Sequence, residues 1–176
     1  RPESSALDQF TLQVAPGETV AIVGPSGAGK STAFQLLLRF YDTSGGRILI
    51  DDTDIAQLDP RELRRQIGLV PQETVLFGDS ALENIRYGRP GASDEEVRQA
   101  AILAAADEFI RELPEGYQTY LGERGTRLSG GQRQALTLLM ATWVKPKLLL
   151  LDEHTAALDP KSADQVIRLT HEIVQC

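Results

Sequence analysis

The sequence predicts an α/β fold with a mostly parallel sheet and an inserted helical subdomain. Three short apolar runs, residues 19–23, 67–70 and 147–151, are typical of strands buried on both faces of a parallel sheet. Between the second and third runs, from about residue 72 to 127, helical spacing replaces the strand pattern. We therefore expect the sheet to be interrupted in sequence by a group of helices.

The predicted boundaries follow from that change of pattern. Residues 1–71 and 134–176 are expected to form the core, and residues 72–133 the helical subdomain. Within the subdomain, Ser93 and Glu96 have the spacing of a capping box, which predicts that a helix begins directly after Ser93.

Other elements are predicted from local patterns. Alternating apolar and polar residues indicate a half-buried strand at residues 10–14, and a short strand is expected at residues 47–50. Pro60 suits the first turn of a short helix. A long helix is expected from about residue 128 to 144, and a last one over residues 162–174.

A glycine-rich segment follows the first apolar run and fits the pattern G-x-x-x-x-G-K-[ST] of a phosphate-binding P-loop. Its glycines let successive backbone N–H groups point inward, and the following helix adds unpaired N–H donors at its positive end. A lysine can bring a full charge to the β- and γ-phosphates, and a serine hydroxyl can bind Mg²⁺. The segment consists of Gly24, Pro25, Ser26, Gly27, Ala28, Gly29, Lys30, Ser31 and Thr32.

The strand, loop and helix together predict a P-loop NTPase with a RecA-like core. The alternative is a glycine-rich turn with an incidental lysine. The net charge of −7 argues against a general nucleic-acid binder, which is usually basic. Cys176 is the single cysteine, so an intramolecular disulfide is impossible. No apolar run approaches the length of a membrane span.

An acidic pair ends the third apolar run, as expected for the second half of a P-loop site. Asp152 would hold Mg²⁺ beside the phosphates, and Glu153 would polarise the water that attacks the γ-phosphate. The alternative is a solvated acidic strand end, which is common. The P-loop in the same chain favours the functional interpretation.

The residues that open the long helix carry the most specific resemblance. The segment Leu-Ser-Gly-Gly-Gln at residues 128–132 resembles the signature of ATP-binding cassette (ABC) proteins, and the whole chain resembles their nucleotide-binding domain. The resemblance implies that two such domains form a head-to-tail dimer and that the signature of one contacts the ATP of the other. The residues concerned are Ser129, Gly130, Gly131 and Gln132. Alone, this segment could be a simple capping or anion-binding motif.

The resemblance also implies roles for residues outside the signature. The Val-Pro-Gln at residues 70–72 is similar to the family's Q-loop, so Gln72 would contact the metal or the attacking water; a buried structural glutamine is the alternative. The implied cofactors are ATP and Mg²⁺, with Glu153, Gln72 and Lys30 as catalytic residues and Ser31, Gln72 and Asp152 as metal ligands. Residues 122–125 resemble an exporter loop that contacts transmembrane domains, and residues 157–159 resemble the D-loop of the dimer interface.

Within the family, the chain resembles exporters through about residue 134 and importer ATPases after it, which suggests a chimera joined near the signature. The family's adenine-stacking aromatic residue and its switch histidine have no counterparts in the sequence, so we expect a chain truncated at both ends. His154 adjoins Glu153 but is expected to be a loop residue, and His171 a surface residue.

The function expected from the sequence is ATP binding and hydrolysis in an ABC transporter, at the cytoplasmic face of a membrane. The expected partners are a second nucleotide-binding domain and transmembrane domains that this chain does not contain. One alternative is a truncated or chimeric module with little or no hydrolysis. Another is a soluble ABC ATPase that acts on DNA or ribosomes, which the acidic charge disfavours.

Overall fold

The computed structural model describes residues 6–122 and 128–153, together with Ile167. Contacts within the backbone divide the chain into two compact units, residues 1–65 and 66–176, and each unit is described by itself. This division does not test the predicted subdomain boundaries, which stay a prediction.

The first unit contains two helices and a small hairpin. The hairpin is antiparallel and pairs Leu49 with Asp54 and Ile50 with Thr53. The predicted strand at residues 47–50 is therefore confined to its last two residues. The elements are α1 (Lys30–Leu37), β1 (Leu49–Ile50), β2 (Thr53–Asp54) and α2 (Pro60–Arg65).

Two arginines connect the carboxyl end of α1 to α2 and to the segment at residues 55–58. Arg64 in α2 donates through Nε to the carbonyl of Leu38 at 2.8 Å and through Nη2 to that of Arg39 at 2.7 Å. Arg39 in turn donates through Nη1 to the carbonyls of Ile55 and Leu58 at 3.0 and 2.6 Å. The last carbonyls of a helix lack partners within the helix, so Arg64 satisfies carbonyls at the end of α1 and complements the negative end of its dipole.

Two predicted strands of this unit are wrong. Residues 10–14 and 19–23 form no strand, and the described residues include no ladder partner for either segment. Val20 is 38% exposed and Val23 is 87% exposed, so the segment predicted to be buried lies at the surface. A strand is stable only when a neighbour takes its backbone hydrogen bonds, which composition cannot guarantee.

Residues 66–122 and 128–153 of the second unit contain a parallel pair of strands and four α-helices. The strands pair from Ile67 with Leu148 to Val70 with Leu151. The predicted strand at 67–70 is confirmed, and the one predicted at 147–151 begins one residue later. The elements are β3 (Ile67–Val70), α3 (Ala81–Arg86), α4 (Asp94–Leu103), α5 (Asp107–Arg111), α6 (Gly130–Thr142) and β4 (Leu148–Leu151).

Helices α3, α4 and α6 enclose the main apolar core of the second unit. The predicted capping box opens α4: Ser93 Oγ accepts from the Glu96 N–H, and the Glu96 carboxylate accepts from the Ser93 N–H at 2.8 Å. This backbone hydrogen bond lowers the pKa of Glu96. Burial, reinforced by the hydrogen bond to Asp107, raises the pKa of Tyr117.

Helix α6 packs against β3 without space for a side chain at Gly68. A Cβ atom at Gly68 would lie 2.6 Å from the carbonyl oxygen of Ala141, a backbone atom that cannot move aside locally. Further along, Val70 forms a buried cluster with Ala135 and Leu138. Later residues of α6 thus meet the start of β3 and earlier residues meet its end, so the helix runs antiparallel to the strand.

Some predicted features lie outside the described residues. They are the strand-to-helix turn and D-loop after Glu153, most of the exporter-like loop at 122–125, His154 and His171. The helix predicted over 162–174 is described only at Ile167, which is helical.

Candidate functional site

The glycine-rich loop of the first unit has the backbone of an anion-binding turn. Gly27 and Gly29 have φ angles of +81° and +87°, in the left-handed region that side chains disfavour. A Cβ atom at Gly29 would also lie 2.5 Å from the carbonyl oxygen of Ala6. Gly29 is the residue that precedes α1, and no side chain caps the helix there. The N-terminal N–H groups of α1 thus follow directly on the loop.

The ammonium group of Lys30 contacts the loop itself. Its Nζ donates to the carbonyl of Gly24 at 2.9 Å and to that of Pro25 at 3.2 Å. Another hydrogen bond, from the Ala28 N–H to the Pro25 carbonyl, closes the turn. Lys30 is therefore held against the loop carbonyls, so its charge lies at the loop that would bind a phosphate.

The carboxyl edge of β3 and β4 brings together two of the predicted catalytic residues. Gln72 follows β3 and its Nε2 donates to Oε2 of Glu153, which follows β4, at 3.1 Å. Asp152 continues the pairing, since its N–H donates to the carbonyl of Val70 at 2.9 Å. Glu153 has a φ of +46°, a backbone conformation uncommon for a residue with a side chain. Gln72 is exposed, which argues against the alternative of a buried structural glutamine.

The signature segment caps its own helix. Ser129 Oγ accepts from the Gln132 N–H at 3.2 Å, and the Gln132 Oε1 accepts from the Ser129 N–H at 2.9 Å. The predicted helix start is confirmed, and α6 begins at Gly130. The capping alternative is thus part of what the segment does. Contact of Ser129 or Gly131 with a nucleotide stays a prediction.

The second unit contains a buried polar residue that the sequence motifs did not predict. Gln134 lies in α6 and is 2% exposed, yet its side-chain Nε2 has no hydrogen-bond partner in the part of the chain that the structure describes. The available signal was its spacing. Gln134, Leu138 and Ala141 are four and three residues apart, so a polar side chain interrupts the helix face that packs on the sheet.

Comparison with known families gives the identity of this arrangement. The family model described as "ABC transporter" matches residues 7–156. The chain belongs to the ABC transporter family. It is a nucleotide-binding domain of the kind found in ABC exporters, and the predicted α/β P-loop fold is confirmed.

Individual relatives agree with this assignment. The chain is 54% identical over 163 residues to the mitochondrial potassium channel ATP-binding subunit of Xenopus tropicalis, covering 92% of this chain and 24% of the relative. It is 47% identical over 174 residues to the mitochondrial iron-sulfur clusters transporter atm1 of Aspergillus fumigatus. That alignment covers 99% of this chain and 24% of the relative. The solved structure of a bacterial Atm1-family ABC exporter with ATP bound matches with a TM-score of 0.78 and 47% sequence identity. The match covers 85% of this chain and 26% of the exporter chain.

These comparisons also bear on how much of its relatives the chain spans and on the proposed chimera. The chain spans about a quarter of the length of these three relatives. The atm1 transporter aligns along nearly the whole chain, including the residues after 134, so the importer-like interpretation of that part gains no support. Among the described residues, no helix combines the length and the apolar character that crossing a bilayer requires.

Proposed function

We propose that this ABC domain binds ATP with Mg²⁺ and hydrolyses it to ADP and phosphate. The observation that carries the proposal is the folded phosphate loop, in which two glycines with positive φ precede α1 and Lys30 lies across the loop carbonyls. Backbone N–H groups, a helix N-terminus and one cation converge there, which is the arrangement that binds phosphates.

Magnesium fits the residues that we propose as its ligands. Ser31, Gln72 and Asp152 supply hydroxyl, amide and carboxylate oxygens, the donors that this hard cation prefers. When bound, Mg²⁺ would offset the negative charge of the β- and γ-phosphates. Lys30 would contribute a further positive charge, and Glu153 would accept a hydrogen bond from the attacking water and orient it.

The first test is hydrolysis by the unmodified chain. We expect phosphate release that requires both ATP and Mg²⁺ and that stops when EDTA removes the metal. Thermal melting of the same sample should show stabilisation by ATP with Mg²⁺, because a ligand that binds only the folded state raises its stability. Binding without phosphate release would favour the alternative of a nucleotide-binding module with little or no hydrolysis. Absence of both would contradict the proposal.

We further propose that two such domains form a head-to-tail dimer on binding ATP and that this closure drives transport at the cytoplasmic face of a membrane. The support is the likeness to exporters, together with the exposed position of Ser129 at the start of α6. Transmembrane domains outside this chain would complete the transporter. In this arrangement, Ser129 and Gly131 of one domain contact the γ-phosphate held by the other.

The dimer proposal predicts that Ser129→Arg lowers hydrolysis by roughly tenfold or more, because a bulky, uncompensated charge would oppose closure. Ser93→Arg is the matched control, since Ser93 also caps a helix through a capping box. Both variants lose a cap worth about 1 kcal/mol, which melting would report. Only the signature variant should lose steady-state ATPase activity. Equal activities of the two variants would contradict the proposal.

A mixing experiment extends this test to the geometry of the dimer. Ser129→Arg and Lys30→Ala would each disable both sites of a homodimer. In a mixed head-to-tail dimer, one site combines an intact P-loop with an intact signature. We therefore expect the mixture to hydrolyse ATP faster than the average of the two variants measured alone.

A further inference from the structure

The buried amide of Gln134 is costly for the folded state. Its Nε2 has no partner among the described residues, although the side chain is almost completely removed from solvent. Leaving a buried donor unpaired forfeits the hydrogen bonds that it makes with water in the unfolded chain. An apolar side chain of similar size would avoid this loss, so the amide calls for an explanation other than packing.

The position of Gln134 along α6 places it at the catalytic edge of the strands. Ala141 lies against Gly68, and Ala135 and Leu138 lie against Val70. Gln134 is seven residues before Ala141, a distance of about 10 Å along a helix. The same distance along a strand is about three residues, which leads from Gly68 to the residues that follow Val70. Gln134 is therefore level with the turn that carries Gln72.

Gln72 can accept, through its amide oxygen, a hydrogen bond that the described residues do not supply. Its Nε2 donates to Glu153, and its Oε1 accepts no hydrogen bond from any residue that the structure describes. The two ends of a glutamine amide have nearly the same shape, so a half-turn of the group would place its oxygen against the Glu153 carboxylate. A donor to Oε1 would select the orientation in which the nitrogen faces Glu153.

We propose that Gln134 is a positioning residue for hydrolysis. When nucleotide draws Gln72 inward, the buried amide of Gln134 donates to one lone pair of Gln72 Oε1, leaves the other lone pair for Mg²⁺, and keeps Gln72 Nε2 on Glu153. The carboxylate is then oriented for the attacking water. This inference rests on the proposed ATPase function. It gives the buried donor of Gln134 a hydrogen-bond partner in the proposed nucleotide complex.

The test uses Gln134→Met, which keeps the size of the side chain and removes the amide. We expect the melting temperature of the nucleotide-free protein to rise by roughly 2–4 °C, because an unpaired buried donor is gone. The further rise caused by ATP with Mg²⁺ should be smaller than in the unmodified protein, and kcat should fall about three- to tenfold. Thr137→Val is the control, because Thr137 is buried in the same helix but its hydroxyl already donates to the Arg133 carbonyl. The control should leave kcat unchanged.

Each other outcome has a defined meaning. Gln134→Met with an unchanged kcat and an unchanged response to nucleotide would overturn the inference. A lower melting temperature without nucleotide would also overturn it, because the amide would then be paired already. If the unmodified protein shows neither stabilisation by ATP nor hydrolysis, the proposed function itself fails, and the variant is not needed to reveal this.

A double-mutant cycle tests whether Gln134 acts through Gln72. Gln72→Ala removes the acceptor, so Gln134→Met should have little additional effect on kcat in that background. If Gln134→Met lowers kcat by the same factor with and without the Gln72 side chain, the two residues act independently and the proposed contact is wrong.

Discussion

Replacing Glu153 with glutamine is expected to lower ATP hydrolysis by about 10²–10⁴-fold, the range that a positioned general base contributes. ATP binding should be kept or become slightly tighter, because the variant removes a negative charge that faces the phosphates in the proposed complex. The substitution preserves the size of the side chain. The glutamine oxygen can still accept the hydrogen bond that Gln72 donates to Glu153 at 3.1 Å, and the positive φ of +46° is no harder for glutamine than for glutamate.

Phosphate release and nucleotide affinity should be measured on the same preparation of the Glu153→Gln variant. Glu73→Gln is the matched control, because Glu73 is an exposed glutamate next to Gln72 and undergoes the same change of charge. The control should hydrolyse ATP at the rate of the unmodified protein. If Glu153→Gln also does so, another group activates the water.

The features that the sequence predicted well are those whose physical cause is local. The P-loop turn follows from glycines whose positions require positive φ, and the helix start after Ser93 follows from a capping box whose two residues lie three positions apart. The parallel strand Ile67–Val70 was also predicted, since a continuous apolar run fits a position beneath α6.

The errors concern features that depend on distant partners. Residues 10–14 and 19–23 have the composition of strands, but pairing is decided by a neighbour elsewhere in the chain, and the described residues supply none. Gln134 was missed for a related reason. Its burial depends on how α6 lies on β3, which the close contact at Gly68 determines and which no local pattern reveals.

The candidate site contains features of both kinds, those with a local cause and those that depend on distant partners. The pattern of the acidic strand end predicted Asp152 and Glu153, and the resemblance to ABC proteins predicted Gln72. The contact between Gln72 and Glu153 joins residues 81 positions apart and became visible only with the parallel register of β3 and β4. Residue identities were thus accessible from the sequence, whereas the hydrogen bond that couples them required the fold.

Replacing Lys30 with alanine is expected to weaken ATP binding well beyond tenfold, a loss of more than about 1.4 kcal/mol. Two effects contribute. The variant removes the cation proposed to meet the β- and γ-phosphates, and it removes the hydrogen bonds from Nζ to the Gly24 and Pro25 carbonyls that brace the loop. Lys145→Ala is the control for net charge, because Lys145 is exposed and follows α6 in the other unit.

Comparing affinities for ATP and AMP separates the two effects of Lys30→Ala. A lost charge should weaken ATP binding far more than AMP binding, because AMP has no β- or γ-phosphate for Lys30 to contact. A collapsed loop should weaken both nucleotides to a similar extent, since the backbone N–H groups would no longer converge. We expect the first pattern, because the left-handed turns at Gly27 and Gly29 and the start of α1 shape the loop without the lysine side chain. Equal ATP affinity in Lys30→Ala and the unmodified protein would show that this loop is not the nucleotide site.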